Sequence, residues 1–546
     1  MLRQDFLHGA LVLAFTGTVS RLLGVFYVAV LPRVLAGEGY GLYTAVKPVY
    51  HIISIVAVAG LPVAIAKLVA DRLAVGDVRA VWRILRLSLT FTAVSGAVTA
   101  LVLVVGADIC ARLLLRLPEV KPALLVVAPS IIFCTLASAL RGFFQGLQQM
   151  TPSGVSQMAE QVVRVIATVI LAYFGMRLGV AAGAAGAMAG GVIGCFCSLL
   201  VLLFYYGRRR RQIHKELRDQ ARPFRHVPRQ DTLRRLVELS FPVVLGQILW
   251  PVFELIDTTL IPSRLQAAGL TKSAAMSWLG YFGMAAQLMW FPTVVTLALA
   301  TSLVPVTAAA WARHNKRLIQ LRLGEALRLA LLCGLPAAVG LFQLSEAATR
   351  LLFGFPEAGV PLSILAGGVL IIGFQQISAG TLQGMGQVIL PVRNLLIGAV
   401  VKLACNYFLV VSPAFGIRGA ALGTVLGFGA AAALNLVDIC RLVGRPTGLR
   451  RTLPAILFST LLMALLVRLT YDGAAVLLEG FFRWAGRMPL PFLVNGVATG
   501  AAIMMGIMAY FFFLLQLGGL QRADIELLPR AGHRLAQMLG RRGWWR

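Results

Sequence analysis

Stretches of about 20 apolar residues, the length a helix needs to cross the hydrocarbon core of a bilayer, recur along nearly the whole chain, separated by short polar or Pro/Gly-marked joints. A chain with this pattern has no room for a sizeable soluble domain. Its 546 residues are 59% hydrophobic and 13% charged, with a mean hydropathy of +0.83, which places it among polytopic membrane proteins. The fold class expected is therefore all-α, with about fourteen transmembrane helices.

Six spans fall at 10–32, 47–69, 84–105, 124–144, 152–174 and 183–206, and six more at 236–262, 277–307, 325–344, 361–382, 391–411 and 419–442. Two further spans, 452–470 and 490–517, precede a basic tail. The organisation expected is a six-helix lobe at 1–207, a basic cytoplasmic linker at 208–235 and a second six-helix lobe at 236–445. Two added helices at 446–520 and a basic tail at 521–546 complete it.

The net charge of +29 is concentrated in inter-helix joints and is not interleaved with exposed aromatics, which argues against nucleic acid as a partner. With the N-terminus in the cytoplasm, the joints holding Arg72, Arg79, Arg83 and Arg86, the linker, the Arg313 to Arg322 joint, the 441–451 joint and the tail all lie on one side. The opposite joints carry Glu38, Glu119, Glu357, Asp472 and Glu479. Both termini are accordingly expected in the cytoplasm, with the chain multi-pass in the membrane.

The halves repeat each other, as transporter folds do. The fourth-to-fifth joint reads RGFFQGLQQMTP and the tenth-to-eleventh reads GTLQGMGQVILP. Twelve residues after Pro152 stands Arg164, and eleven after Pro391 stands Lys402, about 16 to 18 Å into a helix at 1.5 Å per residue. Small-residue ladders, GAAGAMAGG from Gly183 and GAALGTVLG from Gly419, follow in both halves and suit close helix packing.

A charge at the bilayer centre costs about 3 kcal/mol or more and is retained where it pairs or faces water. Arg21, Arg164 and Lys402 are therefore the candidate cavity cations that bind substrate. Glu160 lies four residues before Arg164, the order that favours an intrahelical pair. Glu254 and Asp257 share a face of the seventh span and are, with Glu160, candidate charge-pair or coupling residues. Pro62 and Pro292 occupy matching places in the two halves and are candidate kinks for gating. Lys47 and Lys67 lie where snorkelling to the headgroups explains them.

The seven cysteines and six histidines show no metal-ligand spacing, and there is no phosphate loop or nucleophile elbow. Neither an enzyme nor a metal or cofactor protein is expected. Coupling to Na⁺, H⁺ or the membrane potential is the one ion dependence considered.

The segments FLHGALVLAFTGTVSRLLGVFY, GEGYGLYTAVKPVYHIISIVAVAGLPVAIAKLVAD and RGFFQGLQQMTPSGVSQMAEQVVRV closely resemble the stage V sporulation protein B and MurJ-like group. That group lies in the polysaccharide-exporter branch of the multidrug/oligosaccharidyl-lipid/polysaccharide superfamily. The Gln-Gly joint followed by Ser156, Gln157, Glu160, Gln161 and Arg164 is the most specific part. The resemblance implies two six-helix lobes around a central cavity, two extra C-terminal helices and alternating access. It implies as substrate an undecaprenyl-pyrophosphate-linked precursor, lipid II, for peptidoglycan or spore cortex.

Arg21 matches the group's Ser-Arg-x-x-Gly arginine. Where those relatives have a further first-helix arginine this sequence has Tyr27, and their second-helix arginine pair is replaced by the uncharged run 52–56. The rival readings are an exporter of another lipid-linked polysaccharide unit or a cation-coupled drug exporter. A third is a membrane scaffold that recruits cell-wall synthesis enzymes through the basic segments.

Overall fold

The structure is a computed structural model and describes residues 6–58, 60–218, 229–447, 452–484, 488 and 491–520. Among the described residues there are helices and no strands. The first eight are α1 (Phe6–Val58), α2 (Leu61–Ala74), α3 (Val78–Ile109), α4 (Lys121–Gly146), α5 (Thr151–Met176), α6 (Val180–Arg218), α7 (Arg229–Ala267) and α8 (Lys272–Trp290). The others are α9 (Thr293–Ala312), α10 (Lys316–Gln343), α11 (Ser345–Phe353), α12 (Gly359–Gly384), α13 (Ile389–Leu409), α14 (Ile417–Val443), α15 (Leu453–Trp484) and α16 (Pro491–Gln516).

Each of the fourteen expected spans falls on one of these helices or on a pair of them. Twelve segments among the described residues are long and apolar enough to cross a bilayer.

Breaks in the helices have local causes. Ala36 takes φ 57 inside α1 and bends the chain there. Gly60 takes φ 78 and Pro62 follows within the first turn of α2, where a missing N–H costs nothing. The second expected span is thus a broken helix and not a bent one. Pro292 stands immediately before α9, with α8 ending at Trp290, so the eighth span is broken at the matching place. The linker expected at 208–235 is largely helical, because α6 runs on to Arg218 and α7 starts at Arg229. Residues 219–228 and the tail from 521 lie outside the described residues.

The chain divides into two compact units, Met1–Gly280 and Tyr281–Arg546. The sequence repeat puts α7 and α8 at the start of the second half, yet α7 packs on α1 and α2 in the first unit. Glycine permits this approach: a Cβ on Gly60 would stand 2.6 Å from Ser240 Cα of α7, and on α1 a Cβ on Gly41 would stand 2.1 Å from the Met276 carbonyl oxygen of α8. Leu61, Ile65, Leu85, Phe143, Phe144 and Leu236 form the core between α2, α3, α4 and α7.

In the second unit, α15 and α16 are anchored by polar groups as well as by apolar packing. Tyr510 Oη donates to the Leu332 carbonyl at 2.7 Å, Asn495 Nδ2 donates to the Ala347 carbonyl at 3.1 Å, and Tyr471 Oη donates to Asn495 Oδ1 at 2.9 Å.

The small-residue ladders do the same work in both units. On α6, a Cβ at Gly186 would meet the Leu171 oxygen at 2.3 Å, at Gly190 the Thr168 Oγ1 at 2.2 Å, and at Gly194 Arg164 Cβ at 2.9 Å. On α14, a Cβ at Gly419 would meet Leu409 Cβ at 2.7 Å and at Gly423 Asn406 Oδ1 at 2.4 Å. A Cβ at Gly398 of α13 would lie 2.4 Å from the Gly427 oxygen. Each cation-bearing helix therefore lies backbone-to-backbone on its neighbour, the geometry small residues make available in lipid. Replacing Gly190 by Val forces the two helices apart and should destabilise the protein by about 3 kcal/mol, at the upper end of overpacking costs. A thermal scan of the detergent-purified variant beside Gly191→Val, where a Cβ meets nothing within 4 Å, reads the difference.

Candidate functional site

Helix α5 presents Glu160 and Arg164 one turn apart, toward α4 and α6. Arg164 donates to Glu160 Oε1. Arg141 of α4 reaches the same carboxylate from the other side, donating to Oε2 at 2.5 Å, and also donates to Ser156 Oγ at 3.2 Å and Ser198 Oγ at 2.5 Å. One glutamate, its side chain 16% exposed, thus holds two arginines, and the cluster carries one net positive charge. Arg164 Nε is buried with no hydrogen-bond partner among the described residues. Its guanidinium therefore has a donor direction still to offer.

Around the cluster stand Cys195 of α6, whose Sγ is 3.9 Å from Glu160 Oε1, and Cys134 of α4, 2.6 Å from the Cys195 sulfur. Ser130 donates to Tyr50 Oη at 3.2 Å nearby. Helix α1 runs beside α5, and a Cβ on Gly24 would be 3.8 Å from Gln161 Nε2. Arg21 lies three residues before Gly24 on α1; its side chain lies outside the described residues. Tyr27 and Tyr43, both on α1, share a hydrogen bond between their hydroxyls at 2.5 Å.

Arg141 was not legible as a site residue. It lies close to the end of its span, where snorkelling accounts for a charge, and its partner is nineteen residues away on another helix. The signal present in the sequence was the serine pattern: Ser156 on α5 and Ser198 on α6 are fully buried and accept from the Arg141 guanidinium, while Ser153 Oγ donates to the Arg141 carbonyl at 3.5 Å.

A second constellation links α1 to α7. His51 Nδ1 is 3.6 Å from Glu254 Oε2, with side chains 43% and 36% exposed, and the His51 ring lies 5.9 Å from that of Tyr50. Lys47, one turn earlier, stands 5.8 Å from the Tyr43 ring centroid. Asp257, one turn beyond Glu254, is buried. The expected face of acids on α7 therefore meets a histidine, His51 of α1.

The second unit carries the counterpart on α12, α13 and α14. Counting from the Gln-Gly pairs at 145 and 383, Ser156 and Asn394 share one register and Arg164 and Lys402 another. Lys402 is 2% exposed. Toward the start of α13, Asn394 Nδ2 donates to Asn435 Oδ1 at 2.9 Å and Asp438 Oδ2 at 2.8 Å. Arg393 donates to Asp438 Oδ2 at 2.7 Å, and Asn435 Nδ2 to Ser378 Oγ at 3.2 Å. Both units thus build a polar seam among corresponding helices, each with a cation at the same register.

Comparison with known proteins gives this arrangement a family. The polysaccharide biosynthesis protein profile matches residues 6–311, and the MatE profile matches residues 242–408. Stage V sporulation protein B of Bacillus subtilis is 31% identical over 78% of this chain and 82% of its own. The lipid II flippase MurJ of the same organism is 26% identical over 81% of this chain and 84% of its own. Among solved structures, lipid II flippase MurJ in an inward closed conformation superposes with a TM-score of 0.64 at 15% identity, covering 92% of this chain and 98% of that one, a likeness of fold. The chain belongs to the polysaccharide biosynthesis protein family, in the multidrug/oligosaccharidyl-lipid/polysaccharide superfamily of flippases, whose members move molecules across membranes and are not enzymes.

Proposed function

We propose that the chain is a flippase for a polyprenyl-diphosphate-linked cell-wall precursor, with lipid II as the leading substrate, working by alternating access in the bacterial cytoplasmic membrane with both termini inside. The observation that carries this reading is the pair of arginines on Glu160, with Arg164 Nε unsatisfied beside the helix that bears Arg21. A diphosphate concentrates negative charge and acceptor oxygens, and guanidinium forks are the side chains suited to it. When the site is empty, Glu160 occupies the arginines. An arriving diphosphate takes over at Arg164, while Arg141 keeps its serines. Lys402 supplies the corresponding charge in the second unit. The relatives' printed names, a lipid II flippase and a sporulation protein, support this substrate class.

The helix breaks at Gly60 and before Pro292 offer places to bend during access changes. A cation-coupled exporter is the second reading, favoured by the MatE match and by the His51–Glu254 pair, whose two groups, with Asp257, suit proton or Na⁺ coupling. Replacing Glu254 by Gln and Asp257 by Asn together would then abolish ion dependence; unchanged transport and ion dependence would remove coupling from these residues.

The decisive test is rescue of bacteria depleted of their own lipid II flippase, with lipid II exposed on the outer face as the readout. The wild-type chain should restore exposure, and Arg21→Ala, Arg164→Ala and Lys402→Ala should each lower it tenfold or more, about 1.4 kcal/mol of lost binding or barrier. Membrane-inserted wild-type protein that restores nothing would shift the substrate to another lipid-linked glycan or a drug.

Glu160→Gln removes the shared counter-ion and leaves two charges poorly compensated, so it should cost about 3 kcal/mol of stability. Because the effect comes from uncompensated charge, Glu160→Gln combined with Arg141→Gln should recover part of the loss in a thermal scan. Additive losses in the double variant would contradict the shared-carboxylate account.

A further inference from the structure

A cleft opens where α2, α3 and α7 meet, lined by Leu68, Arg72, Ala80, Arg83, Ile84, Thr232 and Arg235. It measures about 350 Å³, counting the solvent at its mouth. Three of its seven lining residues are arginines, from three different helices, and none is acidic. Of the acids close by in sequence, Asp77 is buried and accepts from the Ala80 N–H at 2.9 Å, and Asp71 and Asp231 are exposed. Arg234, the neighbour of Arg235, is held by Glu238 at 2.7 Å.

The convergence is built by packing. Gly76 turns the chain with φ 76, Asp77 caps α3, and the buried Leu236 locks the first turns of α7 against Ile65, Val69 and Leu85. The arginines are thereby set around a floor of Leu68 and Ile84, with the Thr232 side chain at the wall. Further along α3, Val94, Val98, Leu101 and Val105 are each more than half exposed and recur on one helical face, the mark of a face turned to lipid. From Arg83 to Val94 is about 16 Å along a helix axis, which puts the cleft at headgroup level.

The geometry points to a phosphate site for an anionic glycerophospholipid, its headgroup held by Arg72, Arg83 and Arg235 and its glycerol end against Leu68 and Ile84. Basic pockets between transmembrane helices on the cytoplasmic side are suited to such headgroups, and the basic joints place this cleft on that side. A lipid seated there ties α2, the piece of helix beyond the Gly60 break, to the start of α7. It is separate from the Glu160 cluster, and its test does not depend on the transported substrate.

The full chain is purified in a zwitterionic detergent, and retention of added phosphatidylglycerol, cardiolipin or phosphatidylcholine is measured by native mass spectrometry. Thermal stability with each lipid, and with inorganic pyrophosphate, is measured alongside. Phosphatidylglycerol or cardiolipin should bind and stabilise the wild-type chain while phosphatidylcholine does not. Affinity should fall about fivefold for Arg235→Gln and about a hundredfold when Arg72, Arg83 and Arg235 are all Gln, taking roughly 1 kcal/mol per base.

A chain with Arg313, Lys316 and Arg317 changed to Gln removes equal charge elsewhere and should bind as the wild type does. Should the cleft triple variant lose its fold, the triple Lys variant keeps the charge and should retain the greater part of the binding. Equal retention by wild type and by the folded cleft variants, or equal loss in the Arg313 set, overturns the site. Stabilisation by pyrophosphate without retention of anionic lipid overturns the lipid as its occupant in favour of a soluble phosphate compound.

Discussion

A bilayer solvates neither a free backbone amide nor a bare guanidinium, and most of this structure is a response to that. The backbone is satisfied by helices alone among the described residues, and the irregular segments inside the expected spans are brief: the turn around Gly60 and the two residues before Thr293. Charges follow the same rule. Glu160 is shared between Arg141 and Arg164, and Asp438 between Arg393 and Asn394, so that these two carboxylates each serve more than one donor. Such seams fix the register of the helices they join, since an arginine displaced by one residue would face lipid.

The glycine ladders make these short polar contacts possible. Gly194 lets α6 close on the backbone of Glu160 and Arg164, and Gly423 lets α14 close on the Lys402 carbonyl and the Asn406 side chain. With side chains at these positions the helices would stand further apart, and Ser198 of α6 would fall short of Arg141. Helix packing and site geometry are in this sense one feature: the residues read from the sequence as packing devices also set the distances of the polar cluster.

The all-helical class, the order of the helical segments, the repeat and the pairing of Glu160 with Arg164 were legible because each is local. They rest on runs of apolar residues, on a motif of a dozen residues or on an i, i+4 spacing. The places where reading stopped are all non-local. Arg141 finds Glu160 only after α4 folds onto α5, and His51 finds Glu254 two hundred residues away. The proline signals were visible at Pro62 and Pro292, but whether a helix bends or ends depends on the neighbouring Gly60 in one case and on Phe291 and Pro292 lying outside both helices in the other. The helical extensions of α6 and α7 into the basic linker were hidden because charge there reads as loop, although Arg, Lys, Glu and Leu are all good helix formers.

Arg164 and Lys402 share a register without sharing surroundings. At the register of Glu160 the second unit has Gly398, and the Gly427 carbonyl lies 2.4 Å from where a Cβ would be. No side chain fits there, so an intrahelical acid for Lys402 is sterically excluded at that position. The carboxylate of that seam, Asp438, sits on α14 and engages Arg393 near the start of α13. If the substrate is the proposed diphosphate, it competes with an intrahelical carboxylate for Arg164 and meets none on α13 at Lys402. A transporter must release what it binds, and binding that is uniformly tight traps its cargo. On the flippase reading proposed above, Glu160, already within hydrogen-bond reach of both arginines, is the anion that replaces the cargo as it leaves, which gives a physical reason for an acid among these cations.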